Sequence, residues 1–237
     1  MIKYCAYSEK GIERSANEDR LMVDNRVLNS TRLSGKTNGG FIAVVCDGVG
    51  STSGGAKAAE MITNSFKNFD IEICSPLLVS RHLNKINRKM IEEEKRNNDM
   101  NNMASTVAGI IIIDNRFLLF NMGDTRIYKF YNGKLSVMTK DHTVTNHFNH
   151  FDLNSNIITC YMGGNGDACF PSFRKGIAEN GSIFLACSDG VYKSIDENDI
   201  KDILNNDCTI EQKERAILKH VLQNGSKDDR SMVIVKC

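Results

Sequence analysis

Several features that would mark particular protein classes are missing from this chain of 237 residues. No charge of one sign dominates, because 30 Lys and Arg residues stand against 29 Asp and Glu residues. The chain also lacks a long basic run, so it offers no electrostatic basis for binding nucleic acid or a membrane surface. No apolar stretch reaches the roughly 18 residues of a membrane span, and the first residues lack the apolar core of a signal peptide. We therefore expect a cytoplasmic protein that binds neither nucleic acid nor membrane.

A zinc site is not predicted either. The eight cysteines form no CxxC pair, and several lie in apolar segments, where cysteine behaves as a small buried residue with a reduced thiol. Among the histidines, His147 and His150 have a spacing that could chelate a metal on a helix, but no acidic or cysteine partner supports them. We expect these two residues and His142 to have surface or supporting roles.

The strongest positive signal is the stretch FIAVVCDGVGSTSGG at residues 41–55. Its first six residues are apolar or small, which predicts a buried strand. Asp47 follows where that strand ends, and the glycines after it allow the backbone to approach a ligand closely. Such a carboxylate can begin an oxygen-ligand metal site or a phosphate site, although Asp-Gly is also typical of ordinary turns.

The arrangement of an apolar run next to an acid recurs, which favours a site over a chance turn. Three carboxylates that converge at strand ends would repel one another unless a cation lay between them. The further acids are Asp189 after residues 183–188, Asp124 after residues 117–122, and Asp228 and Asp229 before residues 232–235.

Hydrophobic periodicity predicts mostly antiparallel strands with helices in pairs, which indicates an α+β layered domain. The length suits a single domain spanning residues 1–237. We expect strands at 2–8, 21–27, 41–46, 183–188 and 232–235, a loop at 29–40, a meander of about four strands within 104–140, an irregular insert up to 181, and helices at 54–69, 76–96, 196–205 and 210–223.

Seven motifs resemble the type-2C, metal-dependent (PPM) serine/threonine protein phosphatases of the bacterial, single-catalytic-domain type. One such motif is weak evidence, but seven in the family's order, spread over nearly the whole chain, are specific. They are RSANED at 14–19, DGVG at 47–50 with Gly54 and Gly55, ASTVAG at 104–109, NMGDTRIY at 121–128, LSVMTKDHT at 135–143, CSDGVYKSI at 187–195 and GSKDDRSMVIV at 225–235.

The resemblance implies a four-layer α-β-β-α sandwich, with two central antiparallel sheets flanked by helix pairs. It also implies two Mn²⁺ or Mg²⁺ ions between the sheet edges, and an all-oxygen ligand set suits these hard cations. Matched by residue, Asp47 would bridge both metals and the Gly48 carbonyl would bind one of them. Asp189 and Asp228 would bind the other metal. Glu18 and Asp19 would act through metal-bound waters, and Asp124 falls where a third metal can bind.

The activity implied is hydrolysis of phosphoserine and phosphothreonine by direct attack of a metal-activated water. Arg14 falls at the family's phosphate-binding arginine and, with Asp47 and Asp189, would be catalytic. The implied partners are phosphorylated proteins of a cognate serine/threonine kinase, acted on by a monomer. Two alternatives stay open, namely a phosphoprotein-binding module with weak turnover and a hydrolase of small phosphate esters.

Departures from the family pattern bear on the site. Val49 stands where animal members often carry a histidine proposed to protonate the leaving group, and Asp229 stands where asparagine is usual. The flap-like insert near 143–180 is shortened. Asp124 has a second interpretation, since it could cap a turn or pair with Arg126 instead of binding a third metal.

Overall fold

The computed structural model describes residues 1–49, 53–72, 75–97, 103–144, 157–164 and 170–237. His147 and His150 lie outside these described residues. The strands are β1 (Ile2–Glu9), β2 (Arg20–Val23), β3 (Arg26–Leu28), β4 (Thr31–Thr37), β5 (Phe41–Cys46), β6 (Ala104–Ser105), β7 (Val107–Ile113), β8 (Arg116–Met122), β9 (Arg126–Tyr131), β10 (Lys134–Val137), β11 (Met162–Gly163), β12 (Ser172–Ile177), β13 (Ile183–Cys187) and β14 (Arg230–Lys236). The helices are α1 (Ser53–Ser65), α2 (Pro76–Arg96), α3 (Asp189–Tyr192), α4 (Glu197–Asn205) and α5 (Ile210–Gln223).

Two six-stranded antiparallel sheets form the centre of the fold. The first has the order β10-β9-β13-β14-β1-β4, and the second has the order β12-β8-β7-β5-β2-β3. A separate pair, β6 and β11, adjoins them. Apolar side chains from the inner faces of both sheets share one core cluster, while α1 and α2 cover the second sheet and α3 to α5 cover the first. The predicted α+β sandwich is confirmed.

Alternation along β1 shows why the layers form. Tyr4 and Ala6 belong to the cluster between the sheets, whereas Cys5 and Tyr7 belong to the cluster under the outer helices. Successive side chains of a strand point to opposite faces, so a strand in a central layer must be apolar on both. β5 meets the same demand, because all six of its residues are buried.

The covering helices begin at sequence signals. Pro76 stands at the first position of α2, and the hydroxyl of Ser75 accepts a hydrogen bond from Leu78 N at 3.3 Å. α5 begins with a capping box in which Thr209 and Gln212 exchange side-chain to backbone hydrogen bonds. Both helices have the predicted bounds. No helix in the described ranges is long and apolar enough to cross a membrane.

Four predicted segments are wrong in detail. The helix expected at 54–69 ends at Ser65. The strand expected at 21–27 is a hairpin of β2 and β3, because Asp24 and Asn25 turn the chain with φ values of 49° and 60°. The loop expected at 29–40 contains β4, an edge strand whose polar side chains suit its partial exposure to solvent. The insert contains β12, which pairs with β8.

Candidate active site

The backbone around Asp47 is held firmly at the end of β5. Asp47 N donates to the hydroxyl of Thr106 at 3.1 Å, and Asp47 O accepts from Thr106 N at 2.8 Å. Gly48 is packed so closely that a Cβ there would lie 2.6 Å from the carbonyl carbon of Gly55. A side chain at position 48 would therefore displace the backbone that carries the Asp47 carboxylate.

Asp19 lies beneath this strand end and is fully buried. Its Oδ2 accepts a hydrogen bond from the hydroxyl of Ser188 at 2.7 Å, but its Oδ1 has no hydrogen-bond partner among the described residues. Burial raises the pKa of Asp19 to about 8, and the charges of Asp229 and Asp189 add to this effect although the bond from Ser188 opposes it.

Asp189 is the first residue of α3 and follows β13 after Ser188. Its charge acts on the Asp47 carboxyl group. Desolvation raises the pKa of Asp47 well above the ordinary value, and repulsion from Asp19, Asp189 and Asp124 raises it further. Two strand ends from different sheets thus bring their acids together, and the result is a surplus of negative charge.

Asp228 lies on the far side of this group and faces Arg14. Nε and Nη2 of Arg14 donate to the two carboxylate oxygens of Asp228 at 2.7 and 2.8 Å, a bidentate pair that is about one-third exposed. Asp229 instead points inward, where it accepts Gly11 N at 2.8 Å and Glu18 N at 2.7 Å. Asp229 therefore fixes the loop that carries Arg14 and Glu18.

Glu18 follows Asn17 on that loop and is partly buried. Desolvation raises its pKa to about 7, the charge of Arg14 opposes the rise, and the charges of Asp229 and Asp228 add to it. Glu18 is therefore a third acid of this region, beside Asp19 and Asp47, whose ionised form the protein alone does not stabilise.

Asp124 lies at the end of β8 and is 4% exposed. Its Oδ2 accepts a hydrogen bond from the hydroxyl of Tyr192 at 3.2 Å and lies 3.9 Å from Nζ of Lys193. Burial raises the pKa of Asp124, with the charge of Asp189 next in effect. Arg126 does not pair with Asp124 but forms a bidentate bond with Asp141.

No three His, Cys, Asp or Glu side chains within the described ranges converge as a ready-made metal cluster. Asp189 and Asp228 each face a cation of the protein, Lys193 and Arg14. The donor set nevertheless fits a hard divalent cation, because it consists of carboxylate and carbonyl oxygens. The unpartnered oxygen of Asp19 and the raised pKa values of Asp19 and Asp47 show a place where a cation would be stabilised.

Comparison with known proteins identifies the family of this chain. The family model of protein phosphatase 2C matches residues 29–224. The chain belongs to the protein phosphatase 2C family. A serine/threonine phosphatase, stp, of Listeria welshimeri is 22% identical over 214 residues, which are 82% of this chain and 84% of that protein.

Solved structures show the same fold. The serine/threonine phosphatase of S. agalactiae superposes with a TM-score of 0.85 at 19% identity, covering 100% of this chain and 99% of that one. The catalytic domain of the phosphatase PstP, solved with two manganese ions, has a TM-score of 0.79 at 19% identity and covers 99% of this chain and 97% of its own. The predicted family and enzyme class, serine/threonine protein phosphatase, are confirmed, and the binding-module alternative is not favoured.

Two site residues of this protein phosphatase 2C member were missed in the sequence. Ser188 stands directly before Asp189, at the end of the strand expected at 183–188, and its hydroxyl donates a hydrogen bond to the buried Asp19. Lys193 lies four residues after Asp189, a spacing that brings two side chains together on a helix. A helix over these residues would have predicted the pair of Asp189 and Lys193 from the spacing alone.

The TKDH segment at residues 139–142 has a structural role. His142 N donates to Gly123 O at 2.9 Å, and the hydroxyl of Thr139 accepts Ile127 N at 3.1 Å. Asp141 holds Arg126, whose guanidinium carbon lies 4.0 Å from the centre of the Tyr192 ring. The segment thereby connects the strand that carries Asp124 with the helix that carries Asp189.

Proposed function

We propose that this phosphatase hydrolyses phosphoserine and phosphothreonine in proteins with two Mn²⁺ or Mg²⁺ ions held by the acids described above. Asp47 would bridge the ions with help from the Gly48 carbonyl, and Asp189 and Asp228 would bind one of them. Glu18 and Asp19 would act through coordinated waters. The manganese ions in the PstP catalytic domain support this choice of metal.

The observation that carries the proposal is the unbalanced charge at Asp19 and Asp47. Burial and mutual repulsion raise the pKa values of both carboxyl groups, and Asp19 Oδ1 has no partner among the described residues. A group that the protein leaves desolvated and unpaired is costly unless a ligand neutralises it. Divalent cations bound there would activate a water molecule and stabilise the phosphoryl oxygens during in-line displacement.

The chain's own residues would orient the ester. Arg14 uses Nε and Nη2 on Asp228, and Nη1 has no hydrogen-bond partner among the described residues. Nη1 is therefore free to bind a phosphate oxygen while the bidentate pair keeps the guanidinium fixed. Val49 carries no proton to donate, so the leaving oxygen would take its proton from water.

The biological setting is also part of the proposal. Six described cysteines, Cys5, Cys46, Cys160, Cys187, Cys208 and Cys237, are free thiols, as in a reducing compartment. We place the enzyme in the cytoplasm as a monomeric, single catalytic domain that acts on the phosphoproteins of a cognate serine/threonine kinase. Light scattering of the purified protein would give its mass directly.

The test compares the wild type with Asp189→Asn on a phosphothreonine peptide and on p-nitrophenyl phosphate, with Mn²⁺, Mg²⁺ or a chelator. We expect peptide hydrolysis that requires Mn²⁺ or Mg²⁺ and is lost with chelator. The matched control is Asp202→Asn, an exposed acid of α4, which should keep full activity.

Two results would oppose the proposal. Hydrolysis that is unaffected by chelator would remove the metal mechanism. Turnover of p-nitrophenyl phosphate without turnover of any phosphopeptide would favour the hydrolase of small esters. Circular dichroism of Asp189→Asn shows whether a loss of activity comes from the site or from unfolding.

A further inference from the structure

The ammonium group of Lys193 lies between two acids of the site. Its Nζ is 2.7 Å from Oδ2 of Asp189 and 3.9 Å from Oδ2 of Asp124. Asp124 is the residue at which the sequence resemblance placed a third metal. A cation of the protein therefore already faces both carboxylates that would have to hold that ion.

The position of Lys193 is determined by the elements around it. Its backbone N donates to Asp189 O at 3.0 Å, which closes the turn that ends α3. On the other side, the hydroxyl of Tyr192 donates to Asp124 at 3.2 Å, and Arg126 stacks on the Tyr192 ring. Because Asp124 and Asp189 are each tied to this turn, the lysine is directed into the gap between them.

The charge of Lys193 is balanced there by two carboxylates, because Oδ2 of Asp189 and Oδ2 of Asp124 lie 2.7 and 3.9 Å from its Nζ. Asp124, at 4% exposure, has one other side-chain donor among the described residues, the hydroxyl of Tyr192. The ammonium group thus provides positive charge for a buried carboxylate.

We propose that Lys193 takes the place of a third metal ion, so that this phosphatase binds two Mn²⁺ ions and Asp124 binds none. A third ion between Oδ2 of Asp124 and Oδ2 of Asp189 would have to displace the ammonium group or lie within a few ångströms of it, whereas Oδ1 of Asp189, which Lys193 does not bind, would serve the two-metal site. At about 4 Å two cations repel strongly even in a medium of intermediate polarity. The inference rests on the proposed two-metal function and makes Lys193 a positioning residue for Asp189.

The experiment counts bound Mn²⁺ on the metal-free, full-length protein by isothermal titration calorimetry, with free Mn²⁺ measured by electron paramagnetic resonance. We expect two ions on the wild type. Lys193→Met, which keeps the length of the side chain but removes its charge, is expected to bind a third, and Lys193→Arg is expected to bind two. In the Lys193→Met background, Asp124→Asn should return the number to two.

Asp124→Asn in the wild-type background is the second measurement, needed if Lys193→Met does not fold. It should leave the number of bound ions at two, because an acid that holds neither ion is not needed for either to bind. Loss of one ion in this variant would overturn the inference.

The other outcomes separate the two proposals. Three ions on the wild type, or two on folded Lys193→Met, would overturn the role of Lys193 while leaving the two-metal function intact. Fewer than two ions on the wild type would overturn the two-metal function itself, and the inference with it.

Discussion

Two groups of buried or partly buried acids in this phosphatase differ in the partners that the protein gives them. Asp229 and Glu214 are 4% and 0% exposed, yet each has full partners. Asp229 accepts two backbone N–H groups, and Glu214 receives a bidentate bond from Arg32 at 2.9 and 3.2 Å. Asp19 and Asp47, at the strand ends, repel each other electrostatically and have too few hydrogen-bond donors around their carboxyl groups. The pKa values of both groups are therefore raised.

This difference in hydrogen-bond partners distinguishes acids that stabilise the fold from acids that would be stabilised by a bound ligand. A buried carboxylate with complete hydrogen bonding locks two elements together, as Glu214 does for α5 and β4. A buried carboxylate without it destabilises the empty protein and gains from any cation that binds. Substitution in the first group should reduce stability. Substitution in the second group should reduce activity and remove electrostatic repulsion from the metal-free protein.

The largest effect is expected from Asp47→Asn. Loss of the bridging carboxylate should reduce phosphopeptide turnover at least about 100-fold, since metal ions contribute several kcal/mol to such transition states. The same change removes one repelling charge, so the metal-free variant should melt at a higher temperature than the metal-free wild type. Calorimetry with chelator measures this, and a lower melting temperature would break the distinction between the two groups.

Arg32→Met tests the opposite group. It leaves the Glu214 carboxylate fully buried without its charge partner, which should reduce the free energy of unfolding by about 3 kcal/mol. Urea denaturation measures the loss. Lys57→Met is the matched control, because its partner Glu60 is 3.6 Å away and 44% exposed whereas Glu214 is fully buried, and it should cost about 0.5 kcal/mol or less. Equal losses would contradict the argument.

Asp229→Asn should cost about 2 kcal/mol of stability, because an amide has one acceptor oxygen for two backbone donors and a buried N–H would lose its partner. Asp229 stands at a position where asparagine is usual in the family. Urea denaturation of the metal-free variant gives the value. Unchanged stability would mean that the loop reorganises around the amide.

The stability of the metal-free protein should also depend on pH. Glu18 and Asp19 have folded pKa values of about 7 and about 8, above the value of about 4 expected in the unfolded chain. The folded state therefore binds more protons, and the free energy of unfolding should fall as pH rises from about 4 to about 8. Urea midpoints at pH 6, 7 and 8 test this, and Asp19→Asn should show a shallower fall.

Much of the architecture was predictable, because central strands must be apolar on both faces and because capping residues mark where helices begin. β5, α2 and α5 have the predicted bounds for this reason. β4 and β12 were not predicted, since an edge strand with exposed polar side chains has the composition of a loop. Recognition of β4 required its neighbour β1. The two strands are separated along the chain but pair in the sheet, where Ile2 lies opposite Thr37.

The sequence by itself determined the family, the alternation that builds two sheets, and the candidate acids at the strand ends, since all of these depend on residue type and local spacing. Only the tertiary structure decided which acids have partners. Asp229 and Asp228 are adjacent in the chain, yet one holds backbone amides and the other faces Arg14. Lys193 meets Asp124 across 69 residues, because chain folding, not sequence distance, sets which charges share a low-dielectric space.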